Sequence, residues 1–224
     1  MSKANTIERP SEAQFVARIR EGDFPCVGAK SALANDRIRM LHARSLVSGW
    51  NDLEIHDSLL DWAKGDYEPH EFRSLAVLFD GPDGLTELQF EEAMWDRLQS
   101  LADKDAWRGQ TLDATVGPDP SRPDFSLSFG GEAFFVVGLH PNASRPARQF
   151  AQPILVFNLH NQFEWLRAEG RYERMRKTIL DRDCKLAGDI NPMLARHGEA
   201  SEARQYSGRA VDEDWKCPFR DPRA

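Results

Sequence analysis

The chain has little cysteine, no long apolar run and no excess of positive charge, and each shortage removes a class of function. Three cysteines in 224 residues, Cys26, Cys184 and Cys217, cannot all pair, and no CxxC occurs. A disulfide framework is excluded, and free thiols suit a reducing compartment, so the cytoplasm is the expected location. The longest apolar runs, near 134–139 and 153–157, are far too short to span a bilayer. Met1-Ser2-Lys3-Ala4-Asn5 has no apolar signal core behind it. No membrane partner is expected. A net charge of −7 argues against nucleic-acid partners, which need a basic surface, although a local arginine cluster can still meet a fixed anion.

What is present is the patterning of one globular unit. Ser11 with Gln14 predicts a capped helix carrying Phe15, Val16 and Ile19 on one side. Pro25 and Gly28 predict an irregular, shaped loop over 23–31. Alternation at Ile38, Met40 and His42 predicts a strand. Asn51 predicts the start of a helix that runs to Lys64 with Leu53, Ile55, Leu59, Leu60 and Trp62 inside. A strand over 75–79 follows, then a capping box at Thr86 and Gln89 before a helix to about Ala102. Gly130-Gly131 between two apolar stretches signals a hairpin into 133–139, and 154–159 reads as a further strand. Helical segments run from Asn161 to about Arg182 with a break at Gly170, and the tail from about 188 is irregular. No repeat or linker divides the chain. The expectation is a single α+β domain over residues 1–224, with a central, mostly antiparallel sheet of four to five strands covered by helices.

Candidate chemistry concentrates between 134 and 164. One apolar strand ends in His140, a loop with Arg145 and Arg148 follows, and a second strand ends in His160 just before Phe163 and Glu164. Two imidazoles delivered from strand ends beside two guanidinium groups suit a ligand or base next to an anion site. The plainer role of each histidine is a structural hydrogen bond at a loop entrance. Twenty residues separate the two histidines, which matches no zinc spacing. Cys26 and Cys217 each sit beside proline in an aromatic setting, with Lys30 or Lys216 near enough in sequence to activate a thiol. Buried structural cysteine is the alternative. Arg204 and Arg209 flank an aromatic and a glycine turn that can line a pocket or bind a second anion, or simply form a surface turn.

Taken together, these strings resemble the YqcI/YcgG family. The resemblance is carried by Phe24-Pro25-Cys26-Val27-Gly28-Ala29-Lys30-Ser31-Ala32-Leu33, by His140-Pro141 with Ser144-Arg145 and Arg148, and by Phe157-Asn158 with His160 and Gln162-Phe163-Glu164. Asn191-Pro192-Met193-Leu194, Arg204-Gln205-Tyr206-Ser207-Gly208-Arg209 and Trp215 with Cys217-Pro218-Phe219 extend it to residue 219. The resemblance implies a heme protein. Characterised relatives include heme-dependent N-hydroxylases of guanidine groups, acting on free arginine in cycloserine biosynthesis and on a cyclic guanidine in guanitoxin biosynthesis.

Under that implication the residues take roles. The cofactor would be heme b, non-covalent because no CxxCH occurs. His140 is the expected iron ligand and His160 the runner-up, with a Cys217 or Cys26 thiolate third. Arg145 and Arg148 would meet the propionates, with aromatic walls from residues such as Phe163. The expected reaction is N-hydroxylation of a guanidine or amine group of a small amino-acid-like substrate, using dioxygen or peroxide and an electron donor. Glu164 is the first choice of carboxylate partner for a cationic substrate, ahead of Glu202 and Asp124. A non-catalytic heme carrier or sensor is the alternative, and a thiol-dependent hydrolase or redox enzyme a third reading. Trp50, Trp62 and Trp107 are candidates for core or for a homodimer interface.

Overall fold

Strand-forming segments assemble into one five-stranded sheet in the order β1-β2-β5-β4-β3, with β1 Ile38–Ala43, β2 Ser74–Phe79, β3 Leu127–Phe129, β4 Glu132–Leu139 and β5 Ile154–Leu159. The computed structural model describes residues 10–65, 68, 70–194 and 199–224. β1 and β2 pair in parallel, and the other three pairings are antiparallel. The parallel pair needs a crossover, supplied by α3, Asp52–Ala63. The α+β architecture with a mostly antiparallel sheet is therefore the observed one.

Side-chain alternation along the strands divides the core in two. On one face Phe134, Val136, Phe157 and Leu159 pack with α3 and with α4, Glu87–Trp107. On the other, Ala76, Leu78, Leu139 and Ile154 pack against Phe15 and Ile19 of α1, Pro10–Arg20. α4 starts at the predicted capping box: the Gln89 amide donates to Thr86 Oγ1 at 3.3 Å and the Thr86 amide to Gln89 Oε1 at 3.0 Å. A Cβ at Gly138 would stand 2.7 Å from Phe90 Cε1, so only glycine lets α4 lie this close to β4.

Several local expectations change. α1 begins at Pro10, which puts Ser11 inside the helix rather than at its cap. Residues 27–34 form a helix, α2 (Val27–Ala34), and not part of a loop. Pro25 lies outside it, where proline does no harm, and the Cys26 side chain caps it in place of the usual hydroxyl or carboxylate. Leu53 is exposed, while Trp62 is core and Trp50 and Trp107 are exposed. α5 (Asn161–Ala168) and α6 (Tyr172–Ala187) flank Gly170, and Gly188 closes α6 in the left-handed conformation at φ 86°. The tail is irregular apart from α7, Ala203–Tyr206. It returns Phe219 to the α4-side core.

Beyond its short pairing with β3, the outer edge of β4 is open. Side chains close it: the Ser126 and Tyr206 hydroxyls donate to the Phe134 carbonyl at 3.1 and 3.2 Å, and Arg148 donates to the Gly138 carbonyl at 2.9 Å. This lays α7 along the sheet and brings the tail to the site described next. No helix among the described residues is long and apolar enough to cross a membrane.

Candidate functional site

A cavity of about 290 Å³ lies on the α1 side of the sheet. Its floor is the odd-numbered face of β4, Phe135, Val137 and Leu139, with Val156 and Asn158 of β5 and Ser74 of β2. α6 forms the roof through Tyr172, Met175, Ile179 and Asp183, residues three to four apart that share a helix face. Phe163 of α5 makes one wall, its ring centroid 6.0 Å from that of Phe135. The lining is apolar with charge at intervals. Arg145, Arg148, Arg167 and Arg176 face it against two carboxylates, Asp183 and Glu202.

Cys26 opens onto this cavity from the N-terminus of α2. Its Sγ accepts the Ala29 amide at 3.4 Å. Burial pushes the thiol pKa up, while the Ala29 and Gly28 amides and the nearby Arg148 charge pull it back toward thiolate.

The two loop arginines both line the cavity, yet each is already engaged. Arg145 pairs with Asp183 and Asp189, and its Nε is buried with no hydrogen-bond partner. Arg148 donates to the carbonyls of Gly138, Tyr206 and Gln205 at 2.9, 3.1 and 2.9 Å. Burial lowers its pKa to about 10. It is a tie between β4 and the tail as much as a cavity cation.

His140 lies on the other side. It continues the even-numbered face of β4 and stacks on Phe90 with centroids 4.2 Å apart and planes 16° from parallel. Its Nδ1 is buried with no hydrogen-bond partner, and burial lowers its pKa to about 4. The sheet stands between this ring and the cavity, so the expected iron ligand does not line it. The cause is strand parity, since one residue of register decides the face.

His160 follows β5 with the same parity as Val156 and Asn158. It is buried, and its Nε2 stands 3.2 Å from Oε1 of Glu202, which lines the cavity. Glu164 is 53 % exposed, pairs with Arg167 and does not line the cavity. Asp124 is exposed and paired with Arg122. Cys217 packs against the α4-side core, and burial raises its thiol to about 12. Arg204 donates to the Val211 and Asp212 carbonyls and Arg209 pairs with Glu91, both away from the cavity.

Of the expected site residues, then, Cys26, Arg145, Arg148 and Phe163 come together, with His160 one hydrogen bond behind them. The structure adds Tyr172, Met175, Ile179 and Asp183, which in sequence belong to an ordinary helix. Their 3–4 spacing was the available signal, but an apolar helix face does not say whether it covers a core or a cavity. Among the described residues no group of three or more His, Cys, Asp or Glu side chains is placed to hold a metal ion by itself.

The chain is 26 % identical over 206 residues to a Bacillus subtilis (strain 168) protein named "Uncharacterized protein YcgG", covering 88 % of this chain and 80 % of that one. No solved structure is a significant match. The model of the YqcI/YcgG family matches residues 15–220, an extent that takes in the whole sheet and every cavity wall described above, and the chain belongs to that family.

Proposed function

We propose that this protein is a cytoplasmic, heme-dependent monooxygenase that N-hydroxylates a guanidine or amine group of a small amino-acid-like substrate. The observation that carries this reading is the cavity: apolar and aromatic over most of its lining, rimmed with arginine and open to a thiol. Heme needs all three features, namely flat apolar walls, cations for its propionates and an axial donor.

The residues fit that group. Phe135 and Val137 of the floor and Met175 and Ile179 of the roof supply apolar walls. The Nε of Arg145 is an orphaned buried donor at the cavity wall, and a propionate oxygen would complete it. Cys26, Tyr172 and Met175 are the lining residues of iron-ligating type among those described. Cys26 would hold the iron through its sulfur: burial raises the thiol pKa, and the Ala29 and Gly28 amides and Arg148 offset part of that rise. Bound heme supplies the activation of dioxygen or peroxide, with electrons from a donor protein or small molecule.

The chain's own part is to hold the substrate and manage its protons. Glu202 lines the cavity beside Asp183 whereas Glu164 does not, and Glu202 suits the cationic nitrogen of a guanidinium or ammonium group. The arginines suit the carboxylate of an amino-acid-like substrate. The helical roof and the aromatic floor keep bulk water from the reacting nitrogen.

Titration of purified protein with hemin tests the reading. The expected result is one non-covalent heme per chain, with the ferrous–carbonyl Soret band at the long-wavelength position of thiolate ligation. Cys26→Ser should lose that position, whereas His140→Ala should keep normal heme content and spectrum. Protein that takes up no hemin ends the heme reading. Heme-loaded protein that turns over no guanidine or amine with reductant and oxygen would be the carrier instead.

A further inference from the structure

We infer that Glu202, His160 and Glu164 form a proton path between the cavity wall and solvent. The inference rests on the cavity being the reaction site, and not on which cofactor occupies it. Three observations carry it. Glu202 lines the cavity at one end of the path and is 9 % exposed. Its Oε1 stands 3.2 Å from His160 Nε2. The other ring nitrogen, Nδ1, stands 3.5 Å from Oε1 of Glu164, whose side chain is 53 % exposed. A buried imidazole with one nitrogen on an inner carboxylate and the other facing a surface carboxylate is the arrangement that moves a proton between two compartments.

The inner end of the path is held by hydroxyls and the outer end by an ion pair of Glu164 with Arg167. Ser126 Oγ and Tyr206 OH stand 3.3 and 3.4 Å from Glu202 Oε2, each sharing its one proton between that oxygen and the Phe134 carbonyl, and so place Oε1 toward the ring. Burial, then the charge of Glu202, pushes the Tyr206 phenol pKa well up, so this hydroxyl stays a donor. His160 is fixed where β5 turns into α5, its amide donating to the Ala133 carbonyl at 2.8 Å. Glu164 lies one helical turn on, its Oε1 shared between Arg167 and, at 3.5 Å, His160 Nδ1, so a small rotation of the Glu164 side chain would bring the ring within hydrogen-bond reach.

The proton balance is simple. Water protonates Glu164, which gives a proton to Nδ1 of His160 as Nε2–H gives its proton to Glu202, and Glu202 delivers it to the cavity, where N-hydroxylation by dioxygen and two electrons takes up two protons as water forms. No electron moves along the path, and rotation of the ring or the reverse transfer resets it.

Nuclear magnetic resonance of histidine labelled with ¹⁵N in the rings tests this on the purified protein, in the ferrous carbonyl form if it carries heme. His160→Gln assigns the His160 signals. His56 is the internal comparator, fully buried with its Nε2 2.7 Å from Asp105 Oδ1 and its Nδ1 2.9 Å from Arg108. The expected result is ring-proton exchange with water about tenfold or more faster at His160 than at His56. Glu164→Gln should slow the His160 rate by about tenfold, leave His56 unchanged and be partly rescued by Glu164→Asp. Glu202→Gln should move the Nε2 resonance while sparing that of His56. Exchange at His160 as slow as at His56, or unaffected by Glu164→Gln, overturns the path, as does an Nε2 resonance indifferent to Glu202→Gln. Should Glu202→Gln fail to fold, the Glu164 pair still decides the matter on a surface residue. Hemin titration reads the cofactor separately, so failure of one proposal leaves the other legible.

Discussion

His140 shows how far a side chain's position can outweigh its type. In sequence it ends an apolar strand beside two arginines, a ligand's place. In the fold it is a buried neutral ring stacked on Phe90, on the face away from the cavity. Burial holds its pKa at about 4 against an ordinary 6.5. Between those values the unfolded chain binds a proton that the folded chain does not. Stability from this residue is therefore complete above about pH 6.5, falls as pH drops toward 4 and falls no further below it. The whole shift corresponds to roughly 3 kcal/mol, about 2 kcal/mol of it lost by pH 5. Urea denaturation at the two pH values about 7 and 5 should show a loss larger by that amount in wild type than in His140→Gln. Equal losses would mean that this ring titrates freely. Arg148 teaches the same lesson, since three carbonyls hold its terminal nitrogens in place of a ligand's carboxylate.

At the scale of elements the exceptional one is α6. Of its sixteen residues only Asp183 is buried, and that carboxylate is held by Arg145 from the loop after β4. The apolar face of the helix looks into the cavity, so it lacks the packing that fixes α3 and α4. A ligand that fills the cavity completes that face. Hydrogen exchange read by mass spectrometry should find α6 amides exchanging well ahead of those in β4 and β5. Addition of hemin should protect α6 and leave β4 unchanged. Protection confined to other elements would place the ligand elsewhere. The sequence marks the break before α6, because Gly170 acts locally, but places its end near Arg182, whereas the helix runs on to Ala187 and closes at Gly188. It misses α2, because Pro25 and Gly28 signal a break while the sulfur cap at Cys26 has no strong sequence signature.

For the whole molecule the tail is structural. Arg223 pairs with the buried carboxylate of Asp105, with Asp221 at 2.8 Å, and donates to the Ser128 carbonyl at 3.0 Å. It thereby ties the last residues to α4 and β3. Removing one partner of a buried pair leaves a charge poorly compensated, at a cost of about 3 kcal/mol. Arg223→Ala should lower the urea midpoint accordingly with the slope unchanged. A midpoint within error of wild type would show that His56 and the Gly130 amide suffice for Asp105.

Short-range physics in the sequence is enough to determine that α4 starts at Thr86, that β3 and β4 form a hairpin at Gly130-Gly131 and that the chain makes one α+β unit, because caps, turns and periodicity act over a few residues. It also suffices to mark Arg145, Arg148, Phe163 and Cys26 as candidates, though alongside His140, Cys217, Arg204 and Arg209, which do not line the cavity. Tertiary structure alone decided which of the marked residues share a space. Register turns His140 toward Phe90 and His160 toward Glu202, α7 closes the edge of β4 with Tyr206, and α6 settles over the sheet to make a cavity. Each depends on contacts between segments tens of residues apart, and no local pattern carries them, because the same alternation fits either face of a sheet until the second layer is in place.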